Sequence, residues 1–298
     1  MIKIQVPATS ANLGSGFDAL GLALTLYNRV WMEESDIIDI TTKDDIVVPT
    51  DETNLIYWAA KRLYEECGKR LPGLKIIQEN NIPMASGLGS SSACIVAGLL
   101  GANRLIGSPL NENDLINLAA EIEGHPDNTT PAISGGLVAS AVEGGRVYSV
   151  SVPVSEKIRF AAFHPPFELK TEASRSVLPE TYDRKDAVYN LSRSALMTAS
   201  LFSGKTENLR VAVQDKIHQP YRLGLIQDGD TVFRLSYELG SLGTYISGAG
   251  PTIIALIESD SVKNFEQYAL KNLESKGITG WKLSILDTDP SGASVSIA

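Results

Sequence analysis

A loop of small residues, Ile82-Pro83-Met84-Ala85-Ser86-Gly87-Leu88-Gly89-Ser90-Ser91-Ser92-Ala93, runs without a spacer into 93–105, a segment rich in Ala, Leu and Val. Residues of that second kind predict a buried helix, so the turn chemistry and the helix start coincide. Gly87 and Gly89 let the backbone turn sharply and approach a ligand. The N–H groups exposed at the following helix terminus, with the positive end of its dipole, attract phosphate. The serines add hydroxyls that donate to phosphate oxygens or coordinate magnesium. On residue types alone the same loop also reads as a simple turn and N-cap. Two familiar phosphate loops do not match it. A Walker A loop needs a lysine, and the chain has none between Lys75 and Lys157; the dinucleotide fingerprint G-x-G-x-x-G fails because three serines follow Gly89.

The chain has 298 residues, 43% of them hydrophobic, enough to bury a sizeable core in two domains. A formal charge of −9 leaves little basic surface for a phosphate backbone, so nucleic acid is not an expected partner. Cys67 and Cys94 are too few for a disulfide framework, and Cys94 lies in an apolar run where a buried, reduced thiol is expected. The first residues lack a basic stretch followed by an apolar one, and no run approaches the roughly 20 apolar residues of a membrane span. The expectation is a mature, soluble, cytoplasmic protein without a membrane partner.

Along the chain, strand and helix patterns mix. Ile2 to Val6 alternates like a half-buried strand and enters the loop PATSANLGSGFDALG. A strand is expected within 29–41, a helix over 54–64 behind the capping candidates Thr50 and Asp51, and a strand over 74–78. The spacing predicts a helix over 113–123, capped by Asn113, with Leu115, Leu118, Ala119 and Ile122 on one face and the turn-rich segment 124–128 ending it. Glu143-Gly144-Gly145 predicts a hairpin between strands over 135–142 and 146–152. Near Pro153 the chain is expected to change domain. Beyond it come a strand over 158–163, helices over 186–203, 206–217 and 231–239, and strands at 245–246, 252–257 and 281–286. This mixture predicts an α+β or α/β protein with domains 1–155 and 156–298.

The pattern P-x-x-S-G-L-G-S-S-S-A, from Pro83 to Ala93, is similar to the ATP-binding motif of the GHMP kinases. Two more family segments follow the expected order: VPATSANLGSGFDALGLAL from Val6, and YISGAGPTIIAL from Tyr245. The resemblance implies an α+β, two-domain GHMP kinase fold, with an N-terminal ribosomal-protein-S5-domain-2-like domain and a C-terminal ferredoxin-like α/β sandwich. It further implies ATP and Mg2+ as cofactors, a site at the domain junction, and a homodimer. Pro83, Met84, Ala85, Ser86, Gly87, Leu88, Gly89, Ser90, Ser91, Ser92 and Ala93 become the ATP-binding set. Adenine is expected near Asn54-Leu55-Ile56, and the turn Gly248-Ala249-Gly250-Pro251 is expected to close beside the phosphate loop.

Three further segments resemble the homoserine-phosphorylating branch of that family: GHPDNTTPAISGG at 124–136, Thr171 to Pro179, and Asp215 to Arg222. The implied substrate is L-homoserine and the implied product O-phospho-L-homoserine, in threonine biosynthesis. Homoserine carries a carboxylate, an ammonium and a hydroxyl. Arg175 and Arg222 suit the carboxylate, because a guanidinium fork binds it bidentately. Asp18 and Asp127 suit the ammonium or the hydroxyl, while Asn12, His125, Asn128 and Thr171 match positions that line the amino-acid pocket. Taken singly, the arginines read as surface cations, Asp18 as a loop cap and His125 as a turn histidine; joint occurrence in family-like contexts is what raises them. Mevalonate or a sugar as substrate, and a sensor that binds ATP without turnover, stand as alternatives.

Phosphoryl transfer asks a protein mainly for positioning and charge stabilisation. Magnesium needs oxygen ligands, for which Ser90 or Ser91 and a carboxylate at the end of the 113–123 helix are candidates; Ser91 and Glu121, rather than Glu123, form the expected pair. Many relatives place an aspartate beside the substrate alcohol, where this chain has Asn128. An amide cannot act as a base at neutral pH, so the resemblance implies catalysis by orientation, with Asn128, Asp127 and Arg175 as the catalytic group and Asp127 as the competing choice of base.

Overall fold

The computed structural model describes residues 1–297. It opens with two long antiparallel strands, β1 (Ile2–Ala11) and β2 (Leu20–Glu34), paired from Ile2↔Met32 to Ala11↔Gly21. Their register shifts between Pro7 and Ala8, where proline has no N–H for the ladder. β3 (Asp39–Thr42) runs parallel to β4 (Leu74–Glu79), which pairs antiparallel with β2. Between them lies helix α1 (Leu55–Glu66), capped by Asn54 rather than Thr50 or Asp51: the Asn54 side chain accepts from the amides of Ile56 and Tyr57.

Helix α2 (Ser90–Leu105) is apolar on nearly every side and is buried accordingly between α1 and β1. Burying side chains such as Ile95, Val96 and Leu99, each at most 2% exposed, contributes about 1.5–3 kcal/mol apiece. Helix α3 (Glu112–Glu123) begins one residue earlier than its pattern suggested. Asn111 caps it in a reciprocal box with Asp114, so Asn113 lies inside the first turn. The segment expected to be a turn is instead a helix, α4 (Pro126–Ser134), with Pro126 at its first position, where a missing N–H costs nothing. β5 (Leu137–Glu143) and β6 (Arg146–Val152) form the expected hairpin, attached to β2.

The second sheet takes β7 (Ile158–His164), β8 (Gly243–Ile246), β9 (Ile253–Glu258) and β10 (Lys282–Leu286) in the order β10-β7-β9-β8, all antiparallel. After β7 come α5 (Thr171–Ser176), α6 (Arg184–Ser203), α7 (Leu209–Ala212), α8 (Gln219–Arg222) and α9 (Gly229–Glu238); α10 (Val262–Ser275) precedes β10. Taking β7, α9, β8, β9, α10 and β10 in turn gives the βαββαβ connectivity of a ferredoxin-like sandwich, as expected. The helix expected over 206–217 is only a 3-10 turn at Thr206–Asn208 followed by α7, after which the chain loops to α8.

The last strand, β11 (Ser294–Ile297), returns to the first sheet and pairs with β1 from Ile2↔Ile297 to Gln5↔Ser294. On the way Leu24 bridges Thr288, and Tyr27 donates to Asp289 at 2.7 Å. A division into 1–155 and 156–298 thus separates the two sheets except for this final strand. One core cluster joins Ile4, Leu99 and Leu137 to Phe160, Met197 and Leu256, so the halves share buried surface. Among the described residues both cysteines are free, and Cys94 is half-buried rather than fully enclosed. No described helix is long and apolar enough to cross a membrane.

Candidate active site

The glycine–serine loop is held by both halves of the molecule. From the first sheet, the Thr9 amide donates to the Leu88 carbonyl at 3.1 Å. From beyond β8, the Ser247 hydroxyl donates to the Gly87 carbonyl at 2.6 Å and the Thr252 amide to the Ser86 carbonyl at 3.0 Å. The turn at 248–251 therefore lies beside the loop, as expected. These approaches demand glycine: a Cβ on Gly89, at φ +69°, would sit 2.0 Å from Thr9 Oγ1, and one on Gly87, at φ +84°, would sit 2.3 Å from the Ser247 carbonyl oxygen. Gly89 is also the N-cap of α2 and supplies no side chain to satisfy the first-turn amides, leaving a free helix terminus of the kind that binds anions.

An open cleft lies over that terminus. Ala85, Ser86, Gly87, Gly89, Ser90, Ser91 and Ser92 line it on one side; Asn12, Asp18, His125, Asp127, Asn128, Thr171, Arg175 and Arg222 line it on the other. The remaining loop residues do not reach it: Leu88 and Ala93 are packed in the core, and Pro83 and Met84 face outward.

Of the two candidate glutamates it is Glu123, not the expected Glu121, that lines the cleft. Glu121 is exposed and points at Arg62, 3.5 Å away on α1, whereas Glu123 lines the cleft and takes a hydrogen bond from Ser92 Oγ at 2.9 Å, with Ser91 Oγ 3.5 Å from its other oxygen. Positions two apart on a helix face nearly opposite ways, so only one of the pair can serve. Burial raises the Glu123 pKa above its ordinary value, and the two serine hydroxyls and His125 oppose that rise. Ser91, Ser92 and Glu123 give a set of hard oxygen donors that fits magnesium.

The substrate side is a web of opposed charges. Arg175 donates to both oxygens of Asp18, at 3.2 and 2.9 Å. Asp18, at φ +53°, is held by its amide on Asn12 Oδ1, and Asn12 Nδ2 in turn donates to the Gly248 carbonyl. His125 Nδ1 lies 2.5 Å from Asp127 Oδ1, and Asp127 is 2% exposed at the start of α4. Burial alone would lower the His125 pKa, but the Asp127 hydrogen bond and charge outweigh it and hold it above the ordinary imidazole value. Asn128 Oδ1 accepts from Thr9 Oγ1 at 2.8 Å, so the amide presents its N–H side to the cleft.

The two arginines are not equivalent. Arg222 is 2% exposed, with Nε on the Ser174 carbonyl and Nη1 on the Gly248 carbonyl; among the described residues Nη2 has no protein partner and no carboxylate lies within salt-bridge distance of the guanidinium. Burial, then the charge of Arg175, lowers its pKa from the ordinary guanidinium value, against the charges of Asp18, Asp215 and Asp127, none of which forms an ion pair with it. Sequence reasoning missed what holds it. His218 is fully buried beneath Arg222, and Phe17 stacks on His218 with both arginines near its face. Asp215 collects the amides of Ile217, His218 and Gln219. The motif 215–222 contained Asp215 and His218, and the segment from Val6 contained Phe17, but only the arginine had a chemical reason to be chosen.

Asn54 is committed internally: Oδ1 caps α1 and Nδ2 donates to the Pro49 carbonyl at 2.9 Å. Both its Oδ1 and its Nδ2 are thus engaged within the fold. Leu55, within the expected 54–56 segment, does line an apolar surface beside the cleft, together with Trp58, Ile95 and Ile122 and adjoining Ser91 and Glu123.

Residues 54–136 match the family described as GHMP kinases N terminal domain, and residues 197–276 match GHMP kinases C terminal. A homoserine kinase of Caldicellulosiruptor saccharolyticus is 46% identical, the match covering 99% of this chain and 96% of that protein. A homoserine kinase of Clostridium beijerinckii is 43% identical, covering 99% of this chain and 98% of that one. The crystal structure of homoserine kinase from Cytophaga hutchinsonii superposes with a TM-score of 0.89 at 31% identity, covering 99% and 97% of the two chains. Both halves of the molecule, and the loop they jointly hold, thus place the chain in the GHMP kinase family.

Proposed function

We propose that this chain transfers the γ-phosphoryl group of ATP to the hydroxyl of L-homoserine, giving O-phospho-L-homoserine and ADP, a step of threonine biosynthesis. The observation that carries this reading is Arg222: a buried guanidinium with a free N–H edge and no acidic partner, facing a cleft whose other wall is a phosphate-binding loop. A carboxylate-bearing substrate supplies the missing charge. Arg175 and Asp18, bound to each other, present a cation and an anion side by side, complementary to the carboxylate and ammonium of an amino acid.

The amides of Ser90 to Ser92 and the helix dipole would hold the β- and γ-phosphates. Ser91, Ser92 and Glu123 would hold Mg2+, which when bound offsets phosphate charge. Glu121 has no part in this reading. Asn128 turns donors toward the reacting centre and so orients and stabilises rather than deprotonates. As the homoserine oxygen bonds to γ-phosphorus, the bond to the bridging oxygen of ADP breaks and the hydroxyl proton passes to a phosphoryl oxygen or solvent. Asp127, clamped by His125, binds substrate in this scheme. The homodimer implied by the resemblance has a candidate surface in the exposed apolar stripe of α6, where Val188, Leu191 and Phe202 are 58%, 73% and 55% exposed; a monomeric sedimentation profile at micromolar concentration would overturn that part.

An ADP-release assay with homoserine, mevalonate and galactose tests the reaction. Turnover with homoserine alone is expected; turnover with another alcohol, or ATP binding without ADP from any of them, contradicts it.

A further inference from the structure

The role of His218 follows from its surroundings. Its Nε2 lies 2.7 Å from the Gly14 carbonyl, an atom that can only accept, so Nε2 carries hydrogen. Its Nδ1 lies 3.3 Å from Nη1 of Arg222, an atom that can only donate, so Nδ1 must be bare. Both contacts are satisfied only by the neutral ring protonated on Nε2. The groups around the ring agree with this. Burial pushes the pKa of His218 down, and Arg222 adds to that against the opposing charges of Asp215 and Asp18.

The ring is also fixed in space. Asp215 accepts the amides of residues 217 to 219 at 3.0, 2.8 and 2.6 Å and is itself held by Asn190 Nδ2 at 2.6 Å. Phe17 stacks on the imidazole with centroids 5.3 Å apart, and the Arg222 guanidinium lies 5.3 Å from the centre of the same phenyl ring. Gly14 and Phe17 belong to the loop that carries Asn12 and Asp18, so one buried imidazole ties that loop to the arginine.

We propose that His218 is the positioning residue for Arg222: its bare Nδ1 takes up Nη1 and orients the guanidinium so that Nη2 is left for a substrate carboxylate. This rests on the reading of the cleft as an amino-acid site, and the test separates the two. His218→Asn keeps an acceptor oxygen near the place of Nδ1 but loses the reach to Gly14. His218→Gln reaches Gly14 with an amide N–H but leaves Nη1 without its acceptor. Losing one hydrogen bond to a charged group, His218→Gln should raise the homoserine KM about tenfold, with kcat and the ATP KM within about twofold of wild type. His218→Asn should stay within about threefold of the wild-type homoserine KM. Equal homoserine KM values for the two variants, or kcat and both KM values changing together, overturn the proposal. Arg222→Gln is the control: if it leaves the homoserine KM unchanged, the carboxylate reading itself fails, whereas a raised KM there with indistinguishable His218 variants removes only the positioning role. Independently of whether the variants fold, 15N NMR of the wild-type protein should show the His218 ring neutral and protonated on Nε2 between about pH 6 and 8; a proton on Nδ1 in that range overturns the proposal.

Discussion

Ser92 donates a hydrogen bond of 2.9 Å to Glu123 across the start of α2, joining the first turn of one helix to the last turn of another. That contact puts a half-buried carboxylate next to the free amides of a phosphate-binding terminus. The juxtaposition is repulsive toward a bare phosphate and favourable only with a cation between them.

Removing the charge of Glu123 should therefore affect the metal-dependent step. Glu123→Gln is expected to lower kcat about a hundredfold or more and to raise the Mg2+ concentration at half-maximal rate. Glu121→Gln should leave both within about twofold. Magnesium titrations of initial rate distinguish them, and equal losses in the two variants would contradict the assignment.

Gly89→Ala forces a Cβ against Thr9 Oγ1 at a positive φ. The strain and clash together cost about 1–3 kcal/mol, read as a lowered Tm, and the displaced loop should weaken ATP binding at least about tenfold by calorimetry. Unchanged ATP affinity would show that the loop does not bind the nucleotide.

Asp18 and Arg175 should act as one unit. Each is more than a third exposed, so their mutual attraction adds little stability, and the effect belongs in substrate binding. Asp18→Asn and Arg175→Gln are each expected to raise the homoserine KM about tenfold, and the double variant well under about a hundredfold, because either change alone already breaks the pair. Strict multiplicativity in steady-state kinetics would mean two independent contacts.

The His125–Asp127 pair predicts a pH dependence of stability. The folded pKa of His125 lies above its ordinary value of 6.5, so the protonated ring favours the fold below that pH, and the contribution is lost as pH rises through the folded value. Asp127→Asn removes the partner. The Tm difference between wild type and this variant should shrink as pH rises from about 6 to 8. A difference that stays constant or grows contradicts the pairing.

Local chemistry was readable wherever one segment settled it. The glycine loop, the apolar helix behind it and the hairpin at Gly144-Gly145 all lie close to their expected places. Long-range partners were not readable: β11 is four residues that become a strand only because the open edge of β1 lies beside them. Pro126 and Pro131 disguised α4 as a turn, although a proline at a first helical position is itself a start signal. The choice between Glu121 and Glu123 did have a sequence signal. Glu123 continues the line Leu115–Ala119 at steps of four, while Glu121 sits with polar Asn117 and Asp114 on the opposite face. His218 and Asp215 carried no such signal, since their work is done on Arg222 and on backbone amides brought near only by the fold.

The most direct trial is a crystal structure with homoserine and a non-hydrolysable ATP analogue bound together. The amino-acid carboxylate should lie on Nη2 of Arg222, and the β- and γ-phosphates on the amides at 90–92, with the substrate hydroxyl aimed at γ-phosphorus. Density that places the carboxylate away from Arg222, or the phosphates away from that helix terminus, would contradict the account.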